Sequence, residues 1–254
     1  MQKSPSPAKA WAIAAGYAAM FLLLFRIIGV NYAEIGGALV VPMAVLAALL
    51  LALTSWRGWW PAVLGEALPA PRWLLAVPAL FLAGALGNLA LTAWGSKPLA
   101  LVAYLALGTL LVGFNEEIVF RGLMVVGLRG RHGEALVCLY SSLAFGLLHG
   151  ANFFLGQGLS DTLVQVVYAF FMGVVLYIVR RATGTILACM ALHALWDFSS
   201  LIRPGSLESG NIALTTLVVG FLPGACLLVA IVLSLVGIRR GLFAASRPAD
   251  ARVR

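Results

Sequence analysis

Residues 98–128 read PLALVAYLALGTLLVGFNEEIVFRGLMVVGL, a long apolar run with charged residues near its middle. About 20 apolar residues, each rising 1.5 Å along a helix, are enough to cross the hydrocarbon core of a bilayer. The hydrophobicity is continuous around this segment rather than alternating, which is typical of a spanning helix and not of a barrel strand. The stretch therefore predicts a transmembrane helix that carries buried charge.

The rest of the chain has the same apolar character. Of its 254 residues, 62% are hydrophobic and 10% are charged, and the mean hydropathy is +1.01. Soluble domains are nearer half apolar and a quarter charged, so this composition excludes an ordinary soluble domain and a disordered chain. Breaks in the pattern predict eight spans, at residues 11–30, 36–56, 73–94, 98–128, 134–154, 161–179, 184–202 and 212–238. We therefore expect an all-α polytopic transmembrane helix bundle of about eight spans, forming one integral-membrane domain over residues 1–254.

The distribution of positive charge predicts the orientation. The net charge is +8, and with the N-terminus inside, nearly all basic residues fall on the cytoplasmic side. Cytoplasmic loops favour Lys and Arg, so we expect a multi-pass protein of the cytoplasmic membrane with both termini in the cytoplasm. Residues 1–10 would be a cytoplasmic N-terminus, and residues 239–254 a basic cytoplasmic tail. This interpretation accounts for the charge without a nucleic-acid partner. The basic residues outside the tail that support it are Lys3, Lys9, Arg57, Arg72, Arg129, Arg131, Arg180 and Arg181.

Ionisable residues at bilayer depth are costly and mark function more often than in soluble proteins. Span four carries Glu116, Glu117 and Arg121. Glu117 and Arg121 are four residues apart and can pair on one helix face, whereas Glu116 is rotated about 100° away and needs another partner. Span five carries His149. Span seven carries His193 and Asp197, which also share a face.

These groups are predicted to meet in one layer of the membrane. Counted from the cytoplasmic end of each span at 1.5 Å per residue, Glu116, His149 and His193 lie about 13 to 22 Å deep. Spans four, five and seven can therefore surround one polar cavity with a carboxylate, two imidazoles and a second acid. Such a set supports general acid–base catalysis.

Three motifs in this set resemble those of the CPBP (or Abi) family of intramembrane proteases, which includes the CAAX prenyl endoproteases. They are Glu116-Glu117-x-x-x-Arg121, Phe145-x-x-x-His149 and His193-x-x-x-Asp197, in the family's order. The resemblance implies a glutamate-type protease that cuts near the C-terminus of a membrane-associated protein or peptide. It implies that Glu116 and His149 activate water, that Glu117 and Arg121 brace the site, and that His193 and Asp197 face the oxyanion.

One position departs from the family pattern. The family commonly has asparagine where this chain has Asp197, and an ionised aspartate would repel an oxyanion. Either Asp197 stays protonated and donates a hydrogen bond, as buried acids can, or it orients His193 and leaves the donor role to that residue. We favour the second interpretation.

Other functions remain open at this stage. A zinc protease would use Glu116, His149 and His193 as ligands, whereas the resemblance implies a site with no metal or other cofactor. A transporter or proton channel, and a non-catalytic immunity or scaffold protein of the same fold, are further alternatives. The three cysteines are interpreted as small buried residues: Cys138, Cys189 and Cys226. The substrate is open among a prenylated peptide, a bacteriocin leader, an anchored regulator and a C-terminal sorting tail.

Overall fold

The computed structural model describes residues 4–66, 70–203 and 228–240, and this part of the chain is a bundle of helices. Within these ranges the only β-type pairing is an isolated bridge between Gly65 and Thr185. The α-helices are Pro7–Ile28 (α1), Val40–Arg57 (α2), Trp60–Leu64 (α3), Ala76–Ala90 (α4), Leu99–Glu117 (α5), Val125–Leu128 (α6), Glu134–Leu148 (α7), Ala151–Phe154 (α8), Leu159–Thr183 (α9), Ile186–Ile202 (α10) and Leu228–Arg239 (α11). Short 3-10 turns occupy Tyr32–Gly37, Arg72–Leu75 and Trp94–Ser96, and a π-helix occupies Ile118–Met124.

The predicted spans can be compared with these helices directly. Six helical segments of the described chain are long and apolar enough to cross a membrane, and they coincide with the first six predicted spans. The seventh prediction coincides with α10, a shorter apolar helix. The eighth, residues 212–238, lies mostly outside the described residues, and α11 covers its end. A polytopic helical membrane bundle is thus confirmed. The full count of eight and the orientation stay predictions.

The turn between α9 and α10 shows how local sequence delimits the helices. Gly184 ends α9 with a φ of 77°, a left-handed conformation that glycine adopts without steric cost. The side chain of Thr185 then caps α10 by accepting a hydrogen bond from the Leu187 amide at 3.2 Å. Because stop and start signals are adjacent, α10 begins as soon as α9 ends.

Glycines allow close approach between the helices that carry the motifs. A Cβ added to Gly113 of α5 would lie 2.7 Å from the Met190 carbonyl oxygen of α10. A Cβ added to Gly146 of α7 would lie 2.8 Å from the Val166 oxygen of α9. Small residues serve this purpose in membrane helices, because dispersion contacts and not hydrophobic burial hold such helices together.

The π-helix directly follows Glu117, and all of its residues are buried. A π segment widens the helical turn by one residue and disturbs the regular ladder of backbone hydrogen bonds. Here the backbone carbonyl of Arg121 accepts a hydrogen bond from the Arg180 guanidinium on α9. The irregular turn is therefore tied to a neighbouring helix at the residue that precedes Gly122.

A set of buried charges that we call the charge cluster lies where α9 ends. Arg181 pairs with Glu134 at 2.7 Å, and Arg180 pairs with Glu66 at 3.4 Å. The sequence assigned both arginines to a cytoplasmic segment, and the structure shows that they are buried, with 3% of Arg181 and 0% of Arg180 exposed. Arg129 bridges the two acids, at 2.8 Å from each. Burial lowers the pKa of Arg129, but its hydrogen bonds to Glu134 and Glu66 outweigh this and raise the pKa above its ordinary value.

Candidate active site

The three motif-bearing helices meet at one cavity of about 290 Å³. Glu116 from α5, His149 from the end of α7 and Asp197 from α10 all line it. His193 lies beside these residues and is 4% exposed. The structure therefore brings together the residues that the sequence predicted would meet.

On the buried side of this site, Glu117 contacts both Arg121 and His193. Its Oε1 atom lies 3.2 Å from Nη1 of Arg121, and both side chains are fully buried. The same Oε1 accepts a hydrogen bond from Nδ1 of His193 at 2.9 Å. The predicted pair of Glu117 and Arg121 is thus present, and it extends to His193, a contact that the sequence did not reveal.

Phe145 packs at the centre of the same group of residues. The Arg121 guanidinium lies over its ring, 4.0 Å from the centroid. The ring also makes edge contacts with His149 at 5.1 Å and with His193 at 5.6 Å. The first residue of the Phe-x-x-x-His motif therefore holds an arginine and both histidines against one aromatic surface.

The second nitrogen of His193 faces two carboxylates. Nε2 lies 3.4 Å from Oδ2 of Asp197 and 3.9 Å from Oε2 of Glu116. Asp197 is the more accessible of the two, with 31% of its side chain exposed. Because Glu117 contacts the other ring nitrogen at a shorter distance, it is the closer orienting partner of His193. An orienting role for Asp197 stays a prediction.

The hydrogen bonding of His149 defines its tautomer when the ring is neutral. Nδ1 lies 3.0 Å from the backbone oxygen of Phe145. A carbonyl oxygen only accepts, so Nδ1 must carry the proton and Nε2 then has a free lone pair. His149 can therefore accept a hydrogen bond from a water molecule or a substrate group.

Glu116 offers a second acceptor to the same cavity. Its Oε2 atom is buried and has no hydrogen-bond partner among the described residues. Buried polar atoms are rarely left without a partner, so this oxygen is available to a polar ligand. A carboxylate and an imidazole acceptor on one cavity wall can together bind a water molecule and take its proton.

The alternative zinc site can be compared with this geometry. Within residues 4–66, 70–203 and 228–240, no three His, Cys, Asp or Glu side chains are grouped as metal ligands. Glu116, His149 and His193 thus line or border the cavity without forming a ligand cluster there. Of the cysteines, Cys138 and Cys189 are buried, and Cys226 lies outside the described residues.

Sequence reasoning did not find the neutral polar residues of the cavity. Tyr32, Asn152 and Gln165 line it together with the catalytic candidates. The available signal was Gln165, a polar residue inside an otherwise apolar predicted span.

Comparison with known proteins gives one match. Residues 98–199 match the family described as type II CAAX prenyl endopeptidase Rce1-like. The matched segment is less than half of the chain, but it contains all three motifs, the whole of α5 and α7, and most of α10. The searches of curated proteins and of solved structures found no match. This independent match supports the resemblance that the motifs carry, and residues 98–199 are similar to the family that is described as type II CAAX prenyl endopeptidase Rce1-like.

Proposed function

We propose that this protein is a glutamate-type intramembrane endopeptidase that cleaves near the C-terminus of a membrane-associated protein or peptide. Its family implies a CAAX-type endopeptidase in general. The observation that supports the finer proposal is that Glu116 and His149 line one cavity between membrane helices. Both present an acceptor there, as water activation requires.

The proposed reaction is hydrolysis of a peptide bond. A water molecule donates hydrogen bonds to Glu116 and to Nε2 of His149, and Glu116 takes one proton as the oxygen adds to the scissile carbonyl carbon. The tetrahedral intermediate then collapses, the C–N bond breaks, and the proton passes to the leaving nitrogen. The products are a new C-terminal carboxylic acid, which loses its proton to solvent, and a released peptide with a free amine.

His193 is proposed to stabilise the oxyanion of the intermediate. Its Nδ1 donates to Glu117, which fixes the ring and directs Nε2 towards Glu116 and Asp197. A proton on Nε2 could then be donated to the developing negative charge, the usual role of a preorganised donor. Asp197 borders this position, and in its protonated form it would be a second donor.

The substrate class proposed is a lipidated C-terminal segment. The family description names prenyl substrates, and a prenyl chain would remain in the bilayer while the adjoining peptide enters the cavity. A bacteriocin leader, an anchored regulator and a sorting tail are the other substrates to be compared.

The test compares Glu116→Gln and His149→Ala with the wild-type protein in proteoliposomes. The first probe in vitro is a farnesyl-cysteine peptide. Substrates in cells are identified by mass spectrometry, which compares the C-termini of membrane proteins with and without this protein. We expect both variants to lose cleavage while inserting and eluting like the wild type.

Matched controls are available for both substitutions. Glu34 is exposed in the turn after α1, and His132 is the one histidine of the sequence that is not part of the candidate active site. Glu34→Gln and His132→Ala should cleave at the wild-type rate. Unchanged processing by both Glu116→Gln and His149→Ala would show that the proposed mechanism is wrong.

A further inference from the structure

Part of the cavity wall is a group of neutral polar side chains that the proposed mechanism does not use. It consists of Tyr32, Asn152, Gln157 and Gln165, which we call the amide cluster. Tyr32 belongs to the turn after α1, Asn152 to α8 and Gln165 to α9. Three of the four, all except Gln157, line the cavity together with Glu116 and His149.

The hydrogen bonds of the cluster converge on a single atom. Oε1 of Gln165 accepts from Nδ2 of Asn152 at 3.0 Å and from Nε2 of Gln157 at 2.9 Å. The Tyr32 hydroxyl also donates to it, at 3.3 Å. A side-chain carbonyl has two lone pairs, so these donors use its full capacity.

The remaining polar atom of Gln165 is therefore its Nε2 amine. None of the hydrogen bonds found within the described residues uses Nε2 of Gln165 as a donor, and the side chain is only part-buried. With Oε1 held by residues from two other segments, the orientation of the carboxamide is fixed. Its two N–H groups are the donors that the cluster can offer to a ligand in the cavity.

The Tyr32 hydroxyl remains a donor at neutral pH. Burial raises the pKa of Tyr32, and the nearby Asp161 carboxylate raises it further. The cluster is therefore uncharged, and it orients Gln165 without adding charge to the cavity.

The charge of the cavity indicates what kind of group Gln165 would bind. The titratable acids that line it are Glu116 and Asp197, and its lining contains no Lys or Arg within the described residues. A ligand carboxylate would meet two acids and no cation. A backbone carbonyl is a neutral acceptor, and it matches a carboxamide donor without this repulsion.

We propose that Gln165 is a substrate-binding residue whose Nε2 donates to a backbone carbonyl of the peptide in the cavity. Asn152, Gln157 and Tyr32 are positioning residues that hold its carboxamide. This inference rests on the proposed function, and it adds that the enzyme recognises an uncharged, extended peptide backbone near the scissile bond.

The first experiment separates the donor of Gln165 from its acceptor. Gln165→Glu keeps an acceptor of the same size for the cluster but removes the N–H groups, and Gln165→Met removes both. We expect KM for a farnesyl-cysteine peptide to rise about tenfold in each variant, as for one lost hydrogen bond, while kcat changes less than threefold. Asp161→Asn, an exposed change one turn earlier on α9, should leave both constants unchanged.

The second experiment measures binding without turnover, in the Glu116→Gln background. The probe is a fluorescent farnesyl-cysteine peptide ending in three apolar residues, made with a C-terminal carboxylate and with a C-terminal amide. We expect Gln165→Met to weaken binding of the probe about tenfold, and the amide form to bind at least as tightly as the acid.

The outcomes distinguish this inference from the proposed function. An unchanged KM together with unchanged peptide binding in Gln165→Met overturns the role of Gln165. If Glu116→Gln still cleaves the peptide, the proposed mechanism is wrong. If Gln165→Met nevertheless raises KM, the binding role of Gln165 is supported.

Discussion

His193 donates from Nδ1 to Oε1 of Glu117 at 2.9 Å, and this bond joins α10 to the end of α5. The same carboxylate oxygen pairs with Arg121 at 3.2 Å. One buried carboxylate therefore holds a cation from its own helix and an imidazole from another. Removing one partner of a buried ion pair costs more stability than the intact pair contributes, because the other charge stays buried without a counter-charge.

Replacement of Glu117 should therefore destabilise the protein. We expect Glu117→Ala to lower the free energy of unfolding by about 3–5 kcal/mol, since Arg121 stays buried without its counter-charge. Glu117→Gln should cost less, because the amide oxygen still accepts from His193. Thermal unfolding in detergent micelles measures both effects. Glu34→Ala, on an exposed side chain, is the control, and equal melting of Glu117→Ala and Glu34→Ala would contradict this account.

Phe145 should matter for activity through the three groups that it contacts. Phe145→Leu keeps an apolar side chain but loses the ring under Arg121 and the edge contacts with His149 and His193. A desolvated cation–π contact contributes about 2 kcal/mol, so we expect kcat/KM to fall by at least tenfold. Phe153→Leu is the matched control, because Phe153 on α8 is 45% exposed. If the two variants cleave equally well, the ring does not order the site.

Much of the site could be predicted from spacing within single helices. Residues four apart share a helix face, and both pairs identified in this way are in contact: Glu117 with Arg121, and His193 with Asp197. The common depth of Glu116 and His149 in different spans was enough to predict a shared cavity. These predictions succeeded because they depend only on helix geometry and on the thickness of the membrane.

The contacts between distant segments could not be predicted in the same way. A charge at a helix end has the same sequence pattern whether it faces water or a partner, so the sequence did not reveal that Arg180 and Arg181 are buried. Their partners Glu66 and Glu134 are far away in the sequence. The π-helix was also missed, because its residues have the apolar character of an ordinary span.

The charge cluster should contribute to stability although it lies at a helix end, because its charges are buried and paired. Glu134 pairs with Arg129 at 2.8 Å and with Arg181 at 2.7 Å, and it accepts from the Tyr177 hydroxyl. We expect Glu134→Gln to lower the melting temperature. In a double-mutant cycle with Arg181→Gln, the two changes should be non-additive by at least 0.5 kcal/mol.

Arg131 provides the control for this prediction. It follows α6 closely, as Arg129 does, but its side chain is exposed. Arg131→Gln should leave the melting temperature unchanged, because exposed charges contribute little to stability. Strict additivity of Glu134→Gln and Arg181→Gln would mean that the two residues do not act as a pair.

The proposed mechanism has no role for a metal ion, and chelation tests this. We expect cleavage to continue at the same rate after treatment with EDTA and with 1,10-phenanthroline, and elemental analysis of the purified protein to find less than one zinc per chain. The reaction needs a base and a donor, which the side chains at the cavity provide, and one water molecule from solvent. Activity that is lost on chelation and restored by added zinc would instead favour the zinc alternative.

The distance between α5 and α10 should control whether Glu117 reaches His193. A Cβ on Gly113 would lie 2.7 Å from the Met190 oxygen and 3.1 Å from the Ala194 Cβ, so Gly113→Ala must push the helices apart. Overpacking of this kind costs about 1–3 kcal/mol, and we expect a lower melting temperature together with a loss of cleavage. Gly16→Ala is the matched control, since a Cβ on Gly16 of α1 meets nothing within 4 Å. That variant should melt no lower than the wild type, because alanine favours the helix. If Gly113→Ala cleaves at the wild-type rate, the site does not depend on the close approach of α5 and α10.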